Sequence, residues 1–120
     1  MEFYVQYNNS YYDPEVYHTI DAWSRTDYKS AKYILNVENT TDATRYQIIE
    51  LLIVAGSGTP YMTVYGDVFN DGSQIMLQVI EDSISFPNLI QLQAYALFPP
   101  GISGGVTRIT GQRILFAKAT

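Results

Sequence analysis

Apolar and polar residues alternate with a period of two along most of the chain, and turn-forming residues interrupt the alternation about every ten positions. Phe3, Val5 and Tyr7 alternate with Tyr4 and Gln6, which predicts a short first strand. Asn8-Asn9-Ser10 and Asp13-Pro14 end it, because Pro14 cannot donate to a ladder. A second extended run covers Val16 to Trp23. In the third, Ala31 to Val37, one face carries Ala31, Tyr33, Leu35 and Val37, while Lys32, Ile34 and Asn36 form a more polar face nearer water. Asn39-Thr40-Thr41-Asp42 turns the chain. Tyr46 to Ala55 is apolar on both sides, with Ile48, Leu52 and Val54 on one and Ile49, Leu51 and Ile53 on the other. Such a strand is either central in a sandwich or buried in a subunit contact. Matching the apolar faces of the third and fourth strands gives an expected core of Tyr33, Leu35, Ile48, Leu52 and Val54.

Gly56-Ser57-Gly58-Thr59-Pro60 closes the fourth strand, and Tyr61 to Val68 follows with Tyr61, Thr63 and Tyr65 alternating against Met62 and Val64. Asn70-Asp71-Gly72-Ser73 reads as a hairpin turn, since Gly and Asn accept positive φ cheaply. Gln74 to Ile80 and Leu89 to Phe98 extend again, Phe98-Pro99-Pro100-Gly101 stops the second of these, and Val106 to Ala117 is the last strand, with a bulge expected at Gly111. About eight strands at this turn spacing predict an all-β fold, a single-domain antiparallel β-sandwich of jelly-roll or Greek-key type spanning residues 1–120. There is no internal repeat and no linker.

Composition narrows the function more by exclusion than by pointing. The 120 residues are 47% hydrophobic and 16% charged, which argues against disorder. A net charge of −5 speaks against sequence-independent binding to a phosphate backbone, so no nucleic-acid partner is expected. The longest apolar run, Ile48 to Ala55, is broken by Glu50 and falls far short of the about 18–20 residues of a membrane span. No membrane partner is expected either. Met1-Glu2-Phe3-Tyr4-Val5 carries an acid where a secretory signal carries Lys or Arg, so synthesis and release in the cytoplasm are expected. With no cysteine and one histidine, thiol chemistry, disulfides and His-rich metal sites are excluded.

The remaining candidates for chemistry do not assemble. His18 has no nucleophile or orienting carboxylate near it in sequence. Glu81 and Asp82 are neighbours in a strand and so point to opposite faces, unsuited to a cooperating glycosidase pair. Asp67, Asn70, Asp71 and Gly72 resemble a calcium loop only until Phe69 occupies a ligand position. Gly56-Ser57-Gly58 lacks the Lys of a phosphate loop. No catalytic residue, metal site or cofactor is therefore expected.

The first 24 residues stand apart. Phe3, Tyr4, Tyr7, Tyr11, Tyr12, Tyr17 and Trp23 crowd into them with few aliphatic residues between. Tyr and Trp bury large areas while keeping a polar handle, which suits packing, a subunit contact or stacking on a sugar ring. The segment also holds Glu2, Asp13, Glu15 and Asp21 and no base, whereas bases lie at Arg25, Lys29, Lys32, Arg45, Arg108, Arg113 and Lys118. Such segregation fits either an ordinary solvated surface or complementary patches between subunits. Residues 1–24 are accordingly read as a contact arm, with Arg108 and Arg113 of a neighbouring copy as its expected counterparts.

Tyr28-Lys29-Ser30-Ala31-Lys32-Tyr33 resembles the Y-R-S-A-K-Y signature of a β-rich module in virion proteins of tailed phages, especially phages of marine cyanobacteria. Tyr46-Gln47-Ile48-Ile49-Glu50 resembles the module's Y-Q-x-x-E strand, and Tyr61-Met62-Thr63-Val64-Tyr65-Gly66 its Y-x-T-x-Y-G strand. The likeness covers about residues 20–70 and departs at Val64, where the family usually has Glu, and beyond Gly72. It implies a non-enzymatic virion structural protein. A capsid decoration or cement protein binding the major capsid protein and further copies of itself is the first expectation, and a tail, collar, baseplate or fibre component the second. The third is a carbohydrate-binding module that adsorbs to a host glycan.

Overall fold

The structure is a computed structural model that describes residues 2–8, 16–40, 44–55, 58–82, 84, 88–97 and 106–117. Eight strands occur among them: β1 (Glu2–Asn8), β2 (His18–Ser24), β3 (Tyr28–Asn39), β4 (Tyr46–Val54), β5 (Tyr61–Phe69), β6 (Ile75–Asp82), β7 (Leu89–Ala96) and β8 (Val106–Ala117). No helix occurs among the described residues. The alternation and turn residues thus locate every strand to within a few positions. Two antiparallel sheets result, one of five strands in the order β1-β8-β3-β4-β5 and one of three in the order β2-β7-β6.

Between them lies one cluster of buried side chains drawn from both sheets. Tyr33, Leu35, Val37, Leu51, Ile53 and Ile109 come from the larger sheet, and Trp23, Ile90, Leu92 and Ala94 from the smaller. The strongly amphipathic β3 decides which side of its neighbour turns inward. Tyr33 stands opposite Leu51 and Leu35 opposite Ile49, and directly opposed residues share a face. Ile49, Leu51 and Ile53 are therefore the core residues of β4, while Ile48, Leu52 and Val54, expected inside, are exposed. A strand apolar on both sides offers no signal of its own for that choice.

Two local expectations also change. Residues 70–73 do not close a hairpin, because β5 lies in the large sheet and β6 in the small one, so the segment carries the chain across between sheets. Gly72 takes the positive φ, 78°, that this crossing needs. No register shift occurs at Gly111, which stands opposite Phe3 on one side and Leu35 on the other. The irregularities fall instead between Thr19 and Asp21, between Tyr28 and Ser30, and between Glu50 and Leu51.

Three arginines tie the layers together. Arg113 of β8 donates from Nη1 to Asp21 Oδ2 of β2 at 2.8 Å and to the Ala22 carbonyl at 3.1 Å. The Tyr33 hydroxyl donates to the same Asp21 oxygen at 2.6 Å. Burial first, and the adjoining Asp21 carboxylate second, push the Tyr33 phenol far above its ordinary range. Arg25, in the turn after β2, pairs with Glu81 at 2.5 Å and donates to the carbonyls of Ala55 and Gly58. Arg45 is buried before β4 and donates to the Asp71 carbonyl at 2.9 Å, holding the inter-sheet crossing. Beside it, Gln47 accepts from the Gln74 amide and donates to Asp67 and Ser73. The corner is only partly satisfied, since Arg45 Nε and Nη1 and Gln74 Oε1 are buried with no hydrogen-bond partner among the described residues.

Candidate interaction surface

The two outer faces of the molecule differ in composition. On the smaller sheet, Gln78, Gln93, Thr19 and Gln91 stand on neighbouring strands and form a side-chain ladder. Gln78 donates to Gln93 at 2.7 Å, Gln93 to Thr19 at 3.2 Å, and Thr19 to Gln91 at 3.1 Å. This ladder runs through the middle of a mixed face that also carries Met76, Ile80, Leu89 and Tyr95.

The outer face of the larger sheet carries most of the exposed large apolar side chains, interspersed with polar ones and with Arg108 and Glu38 in the row of Tyr46 at one end. Register places Phe116, Ser30, Val54 and Tyr61 in one row across four strands. The next row runs Ile114, Lys32, Leu52 and Thr63, and beyond Gln112, Ile34, Glu50 and Gly66 comes a row of Thr110, Asn36, Ile48 and Val68. Ile34 is half-buried, and the other large apolar side chains of these rows, with Tyr46 at the end of β4, are between 44 and 73% exposed. A shallow hollow of about 310 Å3 is lined by Asn36, Tyr46, Ile48, Val68 and Phe69 among others. Monomeric proteins rarely leave so extended an apolar face in water, and such faces mark contacts. Lys32 and Glu50 are the charged residues at its centre.

The residues expected at an interface are dispersed. Phe3, Tyr4 and Tyr7 lie on β1, at the edge of the large sheet, opposite Gly111, Thr110 and Thr107. Tyr11 and Tyr12 lie outside the described residues. Tyr17 packs its ring edge-on against Tyr95, with centroids 4.5 Å apart. Trp23 is 3% exposed and belongs to the core. Arg108 stands opposite Glu38 and Gln6 in the sheet, and Arg113 is engaged with Asp21 of its own chain. His18 is exposed at the start of β2, and Asp82 accepts from Gln91 and from the Ile84 amide.

This arrangement of strands recurs in solved structures. It is a fold shared with phage tailspikes. The tailspike protein of Acinetobacter baumannii phage AM24 matches 100% of this chain at a TM-score of 0.51 and 9% identity, over 27% of its own length. The tailspike of the Acinetobacter phage vB_ApiP_P1 matches 96% of this chain at a TM-score of 0.56 and 14% identity, over 22% of its own length. The chain therefore spans about a quarter of the tailspikes it matches. At these identities the likeness is one of fold. No protein-family model and no curated protein matches the chain.

The apolar outer face was legible in part. β4 announced it through apolar residues on both sides, but Ile114, Phe116, Val68 and Tyr61 join it only through the strand order β8-β3-β4-β5.

Proposed function

We propose that this chain is a non-enzymatic structural protein of a phage virion, positioned in the tail as a spike, fibre, collar or baseplate component and acting through protein contacts. The observation that carries this reading is the match of essentially the whole chain to one segment of two tailspikes. The segments of the signature resemblance, Tyr28–Tyr33, Tyr46–Glu50 and Tyr61–Gly66, fall on β3, β4 and β5, three adjacent strands of the large sheet. Nothing favours the capsid decoration role or binding to the major capsid protein, and the tailspike likeness supports the tail instead. The wrap of β1-β8-β3 in one sheet and β2-β7 in the other supports a jelly-roll-related domain over residues 1–120, with β4 and β5 retained beside β3 as its departure. The non-enzymatic part rests on the carboxylates. Asp21 and Glu81 are paired with Arg113 and Arg25 as structural partners, and Asp71, largely exposed, lies 3.8 Å from Arg45. A glycan-binding role loses part of its basis with Trp23 enclosed in the core.

The test is fractionation of purified particles into heads and tails, with the chain detected by mass spectrometry in each. Detection in tails is expected. Detection in heads alone would restore the decoration reading, and absence from both would end the virion reading.

A further inference from the structure

Taking the chain to act through protein contacts, as proposed above, we infer that the outer face of β8-β3-β4-β5 is covered by the same face of a second copy, in a two-fold pairing that sets Lys32 of each chain against Glu50 of the other.

Area is the first reason. Eight large apolar side chains, each about half exposed or more, leave on the order of 800 Å2 to cover, the per-partner share of a standard interface and more than a typical monomer leaves bare. The second reason is charge. Lys32 stands opposite Leu52 and Glu50 opposite Ile34, so the two lie diagonally across the β3–β4 ladder at the middle of the face. Both side chains are half-buried, and neither takes part in an ion pair among the described residues. One lysine and one glutamate in an apolar field are self-complementary. A two-fold axis in the plane of contact, passing midway between them, brings each onto the other's counterpart and forms two identical ion pairs. An isologous interface has this property, with residue i meeting j and j meeting i. An unrelated partner would need its own matching pair of charges, whereas a second copy carries it already.

Sedimentation and light scattering on the full chain test the pairing, with Lys32→Glu, Glu50→Lys and the double variant beside the natural sequence. Both positions are on the surface, and circular dichroism checks that each variant stays folded. The natural chain is expected to be dimeric, each single reversal to weaken association by about tenfold or more, and the double variant to restore it to near the original value. A chain monomeric at all concentrations overturns the inference, even if tail proteins capture it through this face. So does association that ignores the single reversals, or that the double variant fails to rescue. The head-and-tail fractionation is read independently, so a failure of the pairing leaves the virion location standing, and the converse.

Discussion

At the residue scale the interior is organised by Asp21, Tyr33 and Arg113 as much as by aliphatic packing. The Tyr33 hydroxyl and the Arg113 guanidinium converge on one carboxylate oxygen, at 2.6 and 2.8 Å. Ionising Tyr33 would bury a second negative charge beside Asp21, which is why its neutral form is held in the folded chain. An unfolded tyrosine releases its proton near pH 10, by about which point the folded one has not. The folded pKa is raised, so this contribution to stability is fully present below pH about 10 and is lost progressively as the pH climbs above it. In Tyr33→Phe that part of the alkaline loss should disappear, with a loss of about 1.5–3 kcal/mol at neutral pH for the missing hydrogen bond to the Asp21 carboxylate. Urea midpoints of the two proteins measured from pH 7 to 11 check this. Curves that stay parallel throughout would refute it.

At the scale of elements, β4 shows how one strand can serve two surfaces. Leu51 is fully buried and Leu52, its neighbour, is 44% exposed on the opposite side. Leu51→Ala should cost about 2–5 kcal/mol, as large-to-small changes in a core do. Leu52→Ala should stay within about 0.5 kcal/mol in the dissociated chain, and thermal melts at low concentration compare the pair. β1 poses a different case. It is an edge strand whose seven residues pair with β8, and β8 keeps β3 on its other side. Deleting residues 1–12 therefore opens one outer ladder. The β spectrum should persist and the melting temperature fall. If the segment is also the contact arm read from its aromatic content, co-sedimentation with tails lacking the protein should weaken in the same variant. Unfolding on truncation would make β1 an integral strand of the domain and nothing more.

For the whole molecule, shape and surface are linked. Its principal extents are 51 × 27 × 20 Å and its radius of gyration is 14.9 Å, somewhat more than the about 13.6 Å of a compact chain this long. The five-stranded sheet overhangs the three-stranded one, and β5 is exposed along nearly its whole length. Such a slab offers a broad face in proportion to its core. If that face is covered by a second copy, folding and association are coupled by mass action, and the melting temperature should rise with protein concentration. Scanning calorimetry across a hundredfold dilution reads this directly. Leu52→Glu, which places a charge on the apolar face, should abolish the rise without changing the dilute value appreciably.

The sequence by itself determined the fold class, the position of the strands and the amphipathic character of β3, because alternation and turn chemistry are local properties. It also marked β4 as a strand apolar on both sides. Which of the two sides lies within the chain was decided by the pairing of Tyr33 with Leu51 and Leu35 with Ile49, a contact between strands. Likewise, Asn70-Asp71-Gly72-Ser73 has the composition of a hairpin turn, and only the separation of β5 and β6 into different sheets makes it a crossing. Trp23 and Arg113 looked like surface groups for the same reason. Trp23 faces the core because its strand pairs with β7, and Arg113 reaches Asp21 from 92 positions away along the chain. Periodicity reports how a strand divides its residues between two faces; which face meets the core depends on what the other strands bring to it.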